Sequence, residues 1–326
     1  MGSYMRANDA RIQLLTQVAS LYYEHGFTQQ DVAQRLGLSR SNVSRLLAEA
    51  RRHGIVEIRV RQLLPTVPQL EAELRTRFRL RDARVLLSGA RSSSMVLRDV
   101  GALAAEQVRR LLHPNMTLGI GWGRALHETV HAFRPMPTSN VHVVQMMGGV
   151  GALNPHIDGA ELARGLAEAL GGQFHYLRAP FVVESPAVRD ALMQELDVRT
   201  VIDMARQAEL ALTGIGSVRP ELSGLVRAGY LSEDDLHTAV AAGAVCDVFG
   251  QYVSSKGEIC QLSLHRRIIG IDLPSLREIE CVIAVAAWQD KAPAILGALR
   301  GGFLHVLVTD DGAAHEILRL DDATAA

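Results

Sequence analysis

This sequence of 326 residues has almost no lysine, little cysteine and no long apolar run. Lys256 and Lys291 are the two lysines, so arginine supplies nearly all of the positive charge. The three cysteines are an odd number without C-x-x-C spacing, which argues against a disulfide framework and a zinc ribbon. No apolar run approaches the roughly 18 to 20 residues that a membrane span needs, and the N-terminus lacks a signal-peptide pattern. We therefore expect a cytoplasmic protein with no membrane partner.

The net charge of −1 hides an uneven distribution of charge along the chain. Residues 1–64 contain nine arginines against five acidic residues, a balance of +4, so the remaining residues carry −5. A basic N-terminal part on an acidic body indicates that only the basic part meets a phosphate backbone. With 48% hydrophobic residues, the chain exceeds one typical domain and has enough apolar side chains for a large core.

The segment 28–53 has the pattern of two short helices joined by a tight turn. Thr28 is suited to cap the first helix, and Asp31 can complete a capping box with it. Gly37 permits the turn, because glycine adopts backbone angles that other residues resist. Ser39 can cap the second helix, in which apolar residues recur at helical spacing. An ordinary surface hairpin of helices is the alternative, but the capped turn favours a helix-turn-helix.

Polar and basic side chains occupy the exposed start of the second helix. In a helix-turn-helix protein this part of the helix enters the major groove of DNA. Arginine reads guanine there, asparagine reads adenine, and serine contacts either. We expect Arg40, Asn42 and Arg45 to read bases, whereas the later arginines mostly contact phosphates. The residues predicted to bind double-stranded operator DNA are Thr28, Ser39, Arg40, Ser41, Asn42, Arg45, Arg51 and Arg52.

The residues on either side of this hairpin predict further elements. A first helix over residues 9–24 would cover the hairpin with the apolar face Ile12, Leu15, Ala19 and Tyr22. After the hairpin, IVEIRV at 55–60 alternates like the strand of a wing, whose Arg59 and Arg61 could contact the DNA backbone. Two prolines then interrupt the pattern. The predicted domains are 1–64 (helical, winged helix-turn-helix), 65–80 (linker and connecting helix) and 81–326 (effector binding and oligomerisation).

Apolar strands alternate with helices through the rest of the chain. This pattern indicates a parallel sheet that is covered by helices on both faces. The predicted strands are residues 83–88, 116–121, 141–147, 209–216, 282–287 and 305–310. The predicted helices include residues 96–112, 124–132, 160–170 and 293–300. We therefore predict the α/β class, with a Rossmann-like C-terminal domain.

Glycine-rich loops follow three of these strands, at the sheet edge where open α/β sheets bind ligands. The loop GIGWGRAL at 119–126 leads into a helix, so its N–H groups and the helix dipole could hold an anion beside Arg124. It is neither the G-x-G-x-x-G dinucleotide fingerprint nor a Walker loop. Residues 148–149 and 214–216 end two further strands. One such loop is more often just a turn, but three at one edge favour a ligand pocket.

Three side chains near these strand ends are candidates for the same pocket. Lys291 follows an apolar strand, where its ammonium could reach a phosphate or a hydroxyl. Asp247 could accept hydrogen bonds from sugar hydroxyls, and Trp122 could form a pocket wall. For each of the three, an ordinary loop or core position is at least as good an interpretation.

HETVH at 127–131 matches the zinc-protease pattern H-E-x-x-H. Prolines end the helix at once, however, and Arg134 stands where the extended pattern needs glycine. We therefore expect neither a metal site nor a cofactor.

The two halves together resemble the SorC family of bacterial transcriptional regulators over nearly the whole chain. The first half carries the stretch DVAQRLGLSRSNVSRLLAEARRHGIVEIRV. The second half carries, in order, GIGWGRAL, VVQMMGG, RAPFVV, LTGIGS, GAVCDVFG and KAPAILGALRGGFLHVLVTD. The resemblance implies a body like the glucosamine-phosphate deaminase and ribose-phosphate isomerase fold, acting as a sensor of a phosphorylated sugar or sugar alcohol. It also implies a homodimer or homotetramer.

The same resemblance implies roles for individual residues. The loop from Gly121 to Arg124 and Lys291 would face the phosphate of the effector, and Asp247 its hydroxyls. The implied effector-binding residues are Gly121, Trp122, Gly123, Arg124, Gln145, Gly148, Gly149, Gly214, Gly216, Asp247 and Lys291.

Two departures from the family pattern affect this site. Ala125 replaces the usual threonine, which removes a hydroxyl donor near the phosphate. Ala287 and Trp288 replace the usual glycine pair, so a bulky indole would narrow the pocket or fill part of it. We therefore expect an altered effector, such as a smaller or unphosphorylated polyol.

The sequence thus predicts a ligand-responsive regulator of a carbohydrate or polyol operon, either an activator or a repressor. Effector binding would favour one arrangement of the subunits, which sets the spacing of the paired DNA-binding domains. One alternative is a sugar-phosphate isomerase or deaminase fused to a DNA-binding domain, with Asp247 and Lys291 as its acid/base pair. A second alternative is a constitutive DNA-binding protein with an inactive pocket.

Overall fold

The computed structural model describes residues 2–56, 64–136, 140–149 and 155–325. The chain divides into two compact units, Met1–Leu63 and Leu64–Ala326. Most of the predicted wing, including Arg59 and Arg61, lies outside the described residues. Within the described ranges, no helix is long and apolar enough to cross a membrane.

The first unit contains the helices α1 (Gly2–Tyr23), α2 (Gln29–Leu36) and α3 (Arg40–Arg52). Their buried side chains form one apolar core of Leu15, Val18, Ala19, Val32, Ala33, Val43, Leu46, Leu47 and Ala50. One turn earlier in α1, Arg11 Nε donates to Glu49 Oε1 of α3 at 2.9 Å. The predicted burial of Ile12 is wrong, since Ile12 is 45% exposed. At this level of α1 an ion pair, and not an apolar contact, joins the helix to α3.

The turn between α2 and α3 has caps at both ends. Thr28 Oγ1 accepts a hydrogen bond from the Asp31 N–H, and Asp31 Oδ2 accepts one from the Thr28 N–H at 3.0 Å. Gly37 ends α2 in the left-handed region, with a φ of 67°. Ser39 Oγ then accepts a hydrogen bond from the Asn42 N–H at 3.2 Å, which begins α3. Local sequence therefore defines where each of these helices starts and stops.

The second unit is built on a seven-stranded sheet with parallel strands, which confirms the predicted α/β class. Its strands are β1 (Asp82–Leu86), β2 (Thr117–Ile120), β3 (His142–Gln145), β4 (Gln173–His175), β5 (Leu210–Gly214), β9 (Cys281–Val285) and β10 (Val306–Asp310). They lie in the order β1-β10-β9-β5-β2-β3-β4. Six of them fall within the predicted ranges or overlap them. The edge strand β4 was missed because it has three residues, among them the exposed Phe174.

Helices cover both faces of this sheet. They are α4 (Pro68–Phe78), α5 (Ser93–Leu111), α6 (Arg124–Ala132), α7 (Gly159–Leu170), α8 (Pro186–Gln194), α9 (Leu196–Arg206), α10 (Gly224–Arg227), α11 (Glu233–Ala241), α12 (Leu273–Arg277), α13 (Ala292–Arg300) and α14 (Asp311–Ala325). Side chains alternate between the faces, so Val282 of β9 joins one buried cluster and Ile283 the other. The cluster of Ile283 includes α5, α6 and α7, whereas α4, α13 and α14 belong to the cluster of Val282.

A small antiparallel sheet packs beside the large one. It consists of β6 (Gly216–Ser217), β7 (Ala244–Val248) and β8 (Gln251–Ser254). Its buried residues Cys246 and Tyr252 belong to the same apolar cluster as α13. The sequence pattern did not predict a second sheet, because its strands are short and lie between longer α/β segments.

The connecting helix α4 packs into the second unit. Its Leu70 and Leu74 are buried in the cluster that also contains α13 and α14. Just before it, the Val67 N–H donates to the main-chain oxygen of Val85 at 2.9 Å. The segment predicted as a linker and connecting helix therefore contributes to the α/β core.

The strand order reverses between β2 and β5. From β2 the chain continues to β3 on one side, and from β5 it continues to β9 on the other side. In an open parallel sheet, the loops at the carboxyl ends of two such strands diverge and leave a crevice. This topology therefore places a ligand site at the ends of β2 and β5.

Replacing Ser39 by alanine removes the side chain that caps α3. Loss of such a cap costs about 1 kcal/mol, which corresponds to about a fivefold change in an equilibrium constant. We expect the amide hydrogens of α3 in the Ser39→Ala variant to exchange with solvent about fivefold faster. Ser44→Ala is the matched control, because Ser44 is an exposed residue within the same helix. Equal exchange rates in the two variants would contradict a capping role for Ser39.

Candidate functional site

A cavity of about 140 Å³ lies at the carboxyl ends of β2, β5 and β9. This is the crevice that the reversal of strand order creates. A cavity of about this size holds a small ring compound. Eight of the residues predicted to bind the effector line it: Gly121, Trp122, Gly123, Arg124, Gly214, Gly216, Asp247 and Lys291.

The described lining of this cavity does not include Gln145, Gly148 or Gly149. Gln145 is fully buried, and its Oε1 accepts a hydrogen bond from the Leu177 N–H at 3.1 Å. A Cβ on Gly148 would lie 2.4 Å from the main-chain oxygen of Pro180. Gly149 forms a parallel β-bridge with the same proline. These three residues therefore hold the segment after β3 against a neighbouring segment, next to the cavity but outside it.

Asp247 on β7 is a buried carboxylate at the cavity surface, with 6% of the residue exposed. Burial raises the pKa of Asp247 to about 6, although Lys291 and a hydrogen bond from the Gly250 N–H at 3.2 Å oppose the shift. The carboxylate lies against Gly216 on the paired strand β6, where a Cβ would be 1.8 Å from Asp247 Oδ1. Gly216 is therefore required because any side chain there would displace the carboxylate.

Lys291 lies immediately before α13 and projects into the cavity. Its Nζ donates to the main-chain oxygen of Ile215 at 2.6 Å. Burial lowers the pKa of Lys291 to about 8, the Asp247 charge counteracts this shift, and the Arg124 charge adds to it. The ammonium is thus held in surroundings that disfavour its charge. A ligand that brings negative charge or acceptor oxygens would stabilise it.

Arg227 at the end of α10 is a cavity residue that the sequence did not predict. Burial and the nearby charge of Arg227 lower the pKa of Arg124. Within the described part of the chain, neither guanidinium forms an ion pair with a carboxylate. Two cations that share a cavity without a counter-charge can hold an anion. Because α10 has four residues, no periodic pattern in the sequence marks it as an element.

Trp288 forms another part of the cavity wall, next to the two alanines Ala125 and Ala287. Its backbone has φ 86° and ψ 137°, a conformation that is normal for glycine and costs other residues about 1–3 kcal/mol. Its N–H donates to Asp310 Oδ2 at 2.5 Å, and its indole Nε1–H donates to the main-chain oxygen of Ser93 at 3.0 Å. These contacts hold the residue in its strained conformation.

The histidines of the HETVH segment lie on α6, away from any metal-binding arrangement. The ring centroids of His127 and His131 are 4.0 Å apart. His127 Nδ1 is hydrogen-bonded to the main-chain oxygen of His156 at 2.9 Å. Across the described residues, no group of three or more His, Cys, Asp or Glu side chains could hold a metal ion.

The predicted DNA contacts lie on α2 and α3. The exposed ones at both ends of α3 are Arg40, Ser41, Arg45, Arg51 and Arg52. Arg45 Nη2 donates to Asn42 Oδ1 at 3.0 Å, so the amide of Asn42 is oriented before any DNA is bound. The side chains of Thr28 and Ser39 are engaged in capping. The start of α3 thus presents two arginines and an amide to the solvent.

Asp247→Asn replaces a carboxyl group whose pKa is raised from 3.8 to about 6 in the fold. Such a group stabilises the fold below its unfolded pKa, and this contribution is lost as the pH rises through 6. We therefore expect the variant, compared with the unmodified protein, to be relatively more stable at about pH 7.5 than at about pH 4.5. Urea unfolding of both proteins at the two pH values tests this. Asp234→Asn at a fully exposed position should show no such difference.

Comparison with known proteins identifies the family. Residues 66–319 match the family model Sugar-bind, which describes a sugar-binding domain, and residues 16–53 match Sigma-70, region 4. The sorbitol operon regulator of Klebsiella pneumoniae is 31% identical over 316 residues, which cover 96% of this chain and 99% of that protein. The deoxyribonucleoside regulator of Bacillus subtilis is 31% identical over 306 residues, 94% of this chain and 97% of that protein.

A solved structure shows the same architecture. The full-length sorbitol operon regulator SorC from Klebsiella pneumoniae has a TM-score of 0.76 and 30% identity, and the match covers 94% of this chain and 98% of that chain. These relatives are transcriptional regulators and not enzymes, so the enzyme alternative loses its support. The chain belongs to the SorC family of sugar-binding transcriptional regulators.

Proposed function

We propose that residues 1–64 bind operator DNA and that the cavity at β2, β5 and β9 binds a phosphorylated sugar or polyol, which controls DNA binding. The α/β residues 81–326, together with α4, would carry effector binding and oligomerisation. Relatives named for sorbitol and for deoxyribonucleosides support a sugar-like effector. We assign the protein to the cytoplasm, where operator DNA is found.

The main observation behind a phosphorylated effector is the pair Arg124 and Arg227. With Lys291 they place three cationic groups around the cavity, against the single carboxylate Asp247. Arginine and lysine both bind phosphate oxygens, and arginine does so in a bidentate manner. Arg227 also supplies a donor that offsets the hydroxyl missing at Ala125. The charge balance of the cavity therefore favours a phosphorylated effector over the unphosphorylated polyol that the sequence alone suggested.

The hydroxylated part of the effector would lie deeper, between Asp247 and Lys291. An ionised carboxylate accepts hydrogen bonds from sugar hydroxyls, and an ammonium donates hydrogen bonds to their oxygens. Both groups are buried and carry pKa values shifted toward their neutral forms. A polar ligand would replace the water contacts that these groups lack in the folded protein.

DNA recognition would use the start of α3. Arg40, Asn42 and Arg45 would read base edges, while Arg51, Arg52 and Arg59 would contact phosphates. The chain would act as a homodimer or homotetramer, so the operator would be roughly palindromic with half-sites separated by whole helical turns. Effector binding and operator binding would then be coupled through the arrangement of the subunits.

Thermal unfolding with a panel of ligands tests the effector proposal. The panel contains glycerol, ribose, glucose and sorbitol, each with its monophosphate. A ligand that binds only the folded protein raises the melting temperature by mass action. We expect at least one phosphate ester to raise the melting temperature while its free counterpart does not.

Arg124→Gln should abolish this rise, because it removes one of the two guanidiniums that face the cavity. The control Arg110→Gln removes an exposed arginine that pairs with Glu106 on α5, and it should leave the rise unchanged. A rise with free sugars or polyols alone would contradict the phosphorylated effector and support the unphosphorylated one. No rise with any compound would support the inactive-pocket alternative.

Selection from a random DNA library measures base reading for any operator sequence. We expect Arg40→Ala to relax sequence preference at one base pair in each half-site, at a cost of about 1–3 kcal/mol for the preferred base. The control Arg52→Ala, at the opposite end of α3, should weaken all sequences about equally and reduce the salt dependence. Uniform weakening by Arg40→Ala as well would mean that Arg40 contacts phosphate and not a base.

A further inference from the structure

A second cavity adjoins the one described above, and we refer to the two as the inner and outer chambers. Residues such as Ser94, His127, Glu221 and Gly312 line the outer chamber but not the inner one. Six residues line both chambers and thus form a neck between them: Leu97, Arg124, Ile157, Leu222, Arg227 and Trp288. Of these six, Trp288 has the largest rigid side chain.

The indole of Trp288 is anchored on three sides. Its Nε1–H donates to the main-chain oxygen of Ser93 at 3.0 Å, which ties the ring to the start of α5. Its backbone N–H donates to the buried Asp310 at 2.5 Å. The guanidinium of Arg124 lies over the ring, with its Cζ 5.1 Å from the centroid. The ring is therefore held in place as a fixed wall.

The backbone of Trp288 supports the same conclusion. Its φ of 86° lies in the region that favours glycine, and a residue with a side chain remains there only when its surroundings enforce it. Such strain is concentrated at ligand-binding positions. At this position the strain directs a large ring into the neck.

We propose that Trp288 is the specificity-determining residue of the site, because its indole separates the inner chamber from the outer one and limits the length of the effector. This inference rests on the proposed function, in which the inner chamber binds the effector. The hydroxylated part of the ligand occupies about 140 Å³ beside Asp247 and Lys291. Its anionic group ends at the neck, beside Arg124 and Arg227. A longer ligand would have to displace the indole.

Fluorescence quenching tests the wall without any effector, since Trp122 and Trp288 are the two tryptophans of the chain. In Trp288→Phe, Trp122 is the sole fluorophore and the neck keeps an aromatic ring. In Trp288→Gly and Trp288→Ala, Trp122 is again alone but the neck is open. We expect the acrylamide quenching constant of Trp122 to be about twofold higher in the two open variants, because close-packed walls exclude the quencher.

Glycine suits the positive φ of this position, so Trp288→Gly keeps the backbone in an allowed conformation. Trp288→Ala provides a second open neck if the glycine variant does not fold, and far-UV circular dichroism establishes folding for each. Equal quenching constants for Trp122 in the closed variant and in a folded open variant would overturn the proposal.

A series of phosphate esters of increasing chain length tests the effect on specificity. Thermal shifts are compared for glycerol 3-phosphate, ribose 5-phosphate and sorbitol 6-phosphate with the unmodified protein and with Trp288→Gly. We expect the longest ester that binds to be longer for the variant. The same upper length in both proteins would overturn the proposal. If no ester binds either protein, the proposed function fails, while the quenching result still decides whether Trp288 closes the neck.

Discussion

The parallel direction of the seven strands is the constraint on which the site depends. Because the strands run the same way, the carboxyl ends of β2, β5 and β9 meet at one edge, although their loops are far apart in sequence. The reversal of strand order between β2 and β5 opens that edge into a crevice. The glycines at Gly121 and Gly214 leave room there, and the side chains that follow these strands line the same small volume.

Charge is the second physical feature of this crevice. Three cationic side chains and one buried carboxylate share the cavity, and burial shifts the pKa of Lys291 and of Asp247 toward their neutral forms. In the absence of a ligand these groups reduce the stability of the fold, because buried charge without full compensation is unfavourable. The large apolar clusters on both faces of the sheet offset this cost. The unliganded protein is therefore less stable than its core alone would make it.

Much of the fold follows from local sequence. The caps at Thr28 and Ser39 and the apolar strands of the sheet depend on neighbouring residues, so their patterns are visible in the chain itself. The missed features depend on tertiary structure. Strand β4 is too short to form a pattern, and Arg227 reaches the cavity only because the chain after β6 folds back over β2. Gln145 belongs to a motif, yet its amide is used to hold Leu177 and does not reach the cavity.

The resemblance to a family and the physical chemistry of the residues contributed different parts of the site. Motif order identified the loop 121–124, Asp247 and Lys291 as one site, which spacing alone did not establish. The geometry then added the reason for Gly216, namely the carboxylate of Asp247 against its Cα. It also added the anchors of Trp288, which depend on contacts with Ser93 and Asp310 that are remote in sequence.

The scarcity of lysine has a practical consequence for spectroscopy. Lys256 is exposed on a loop after β8, whereas Lys291 lies in the cavity. An isotope label on lysine amines would thus give two side-chain signals, one from bulk water and one from the cavity. The exposed amine serves as an internal reference in every spectrum, so a change confined to the other signal reports directly on what occupies the cavity.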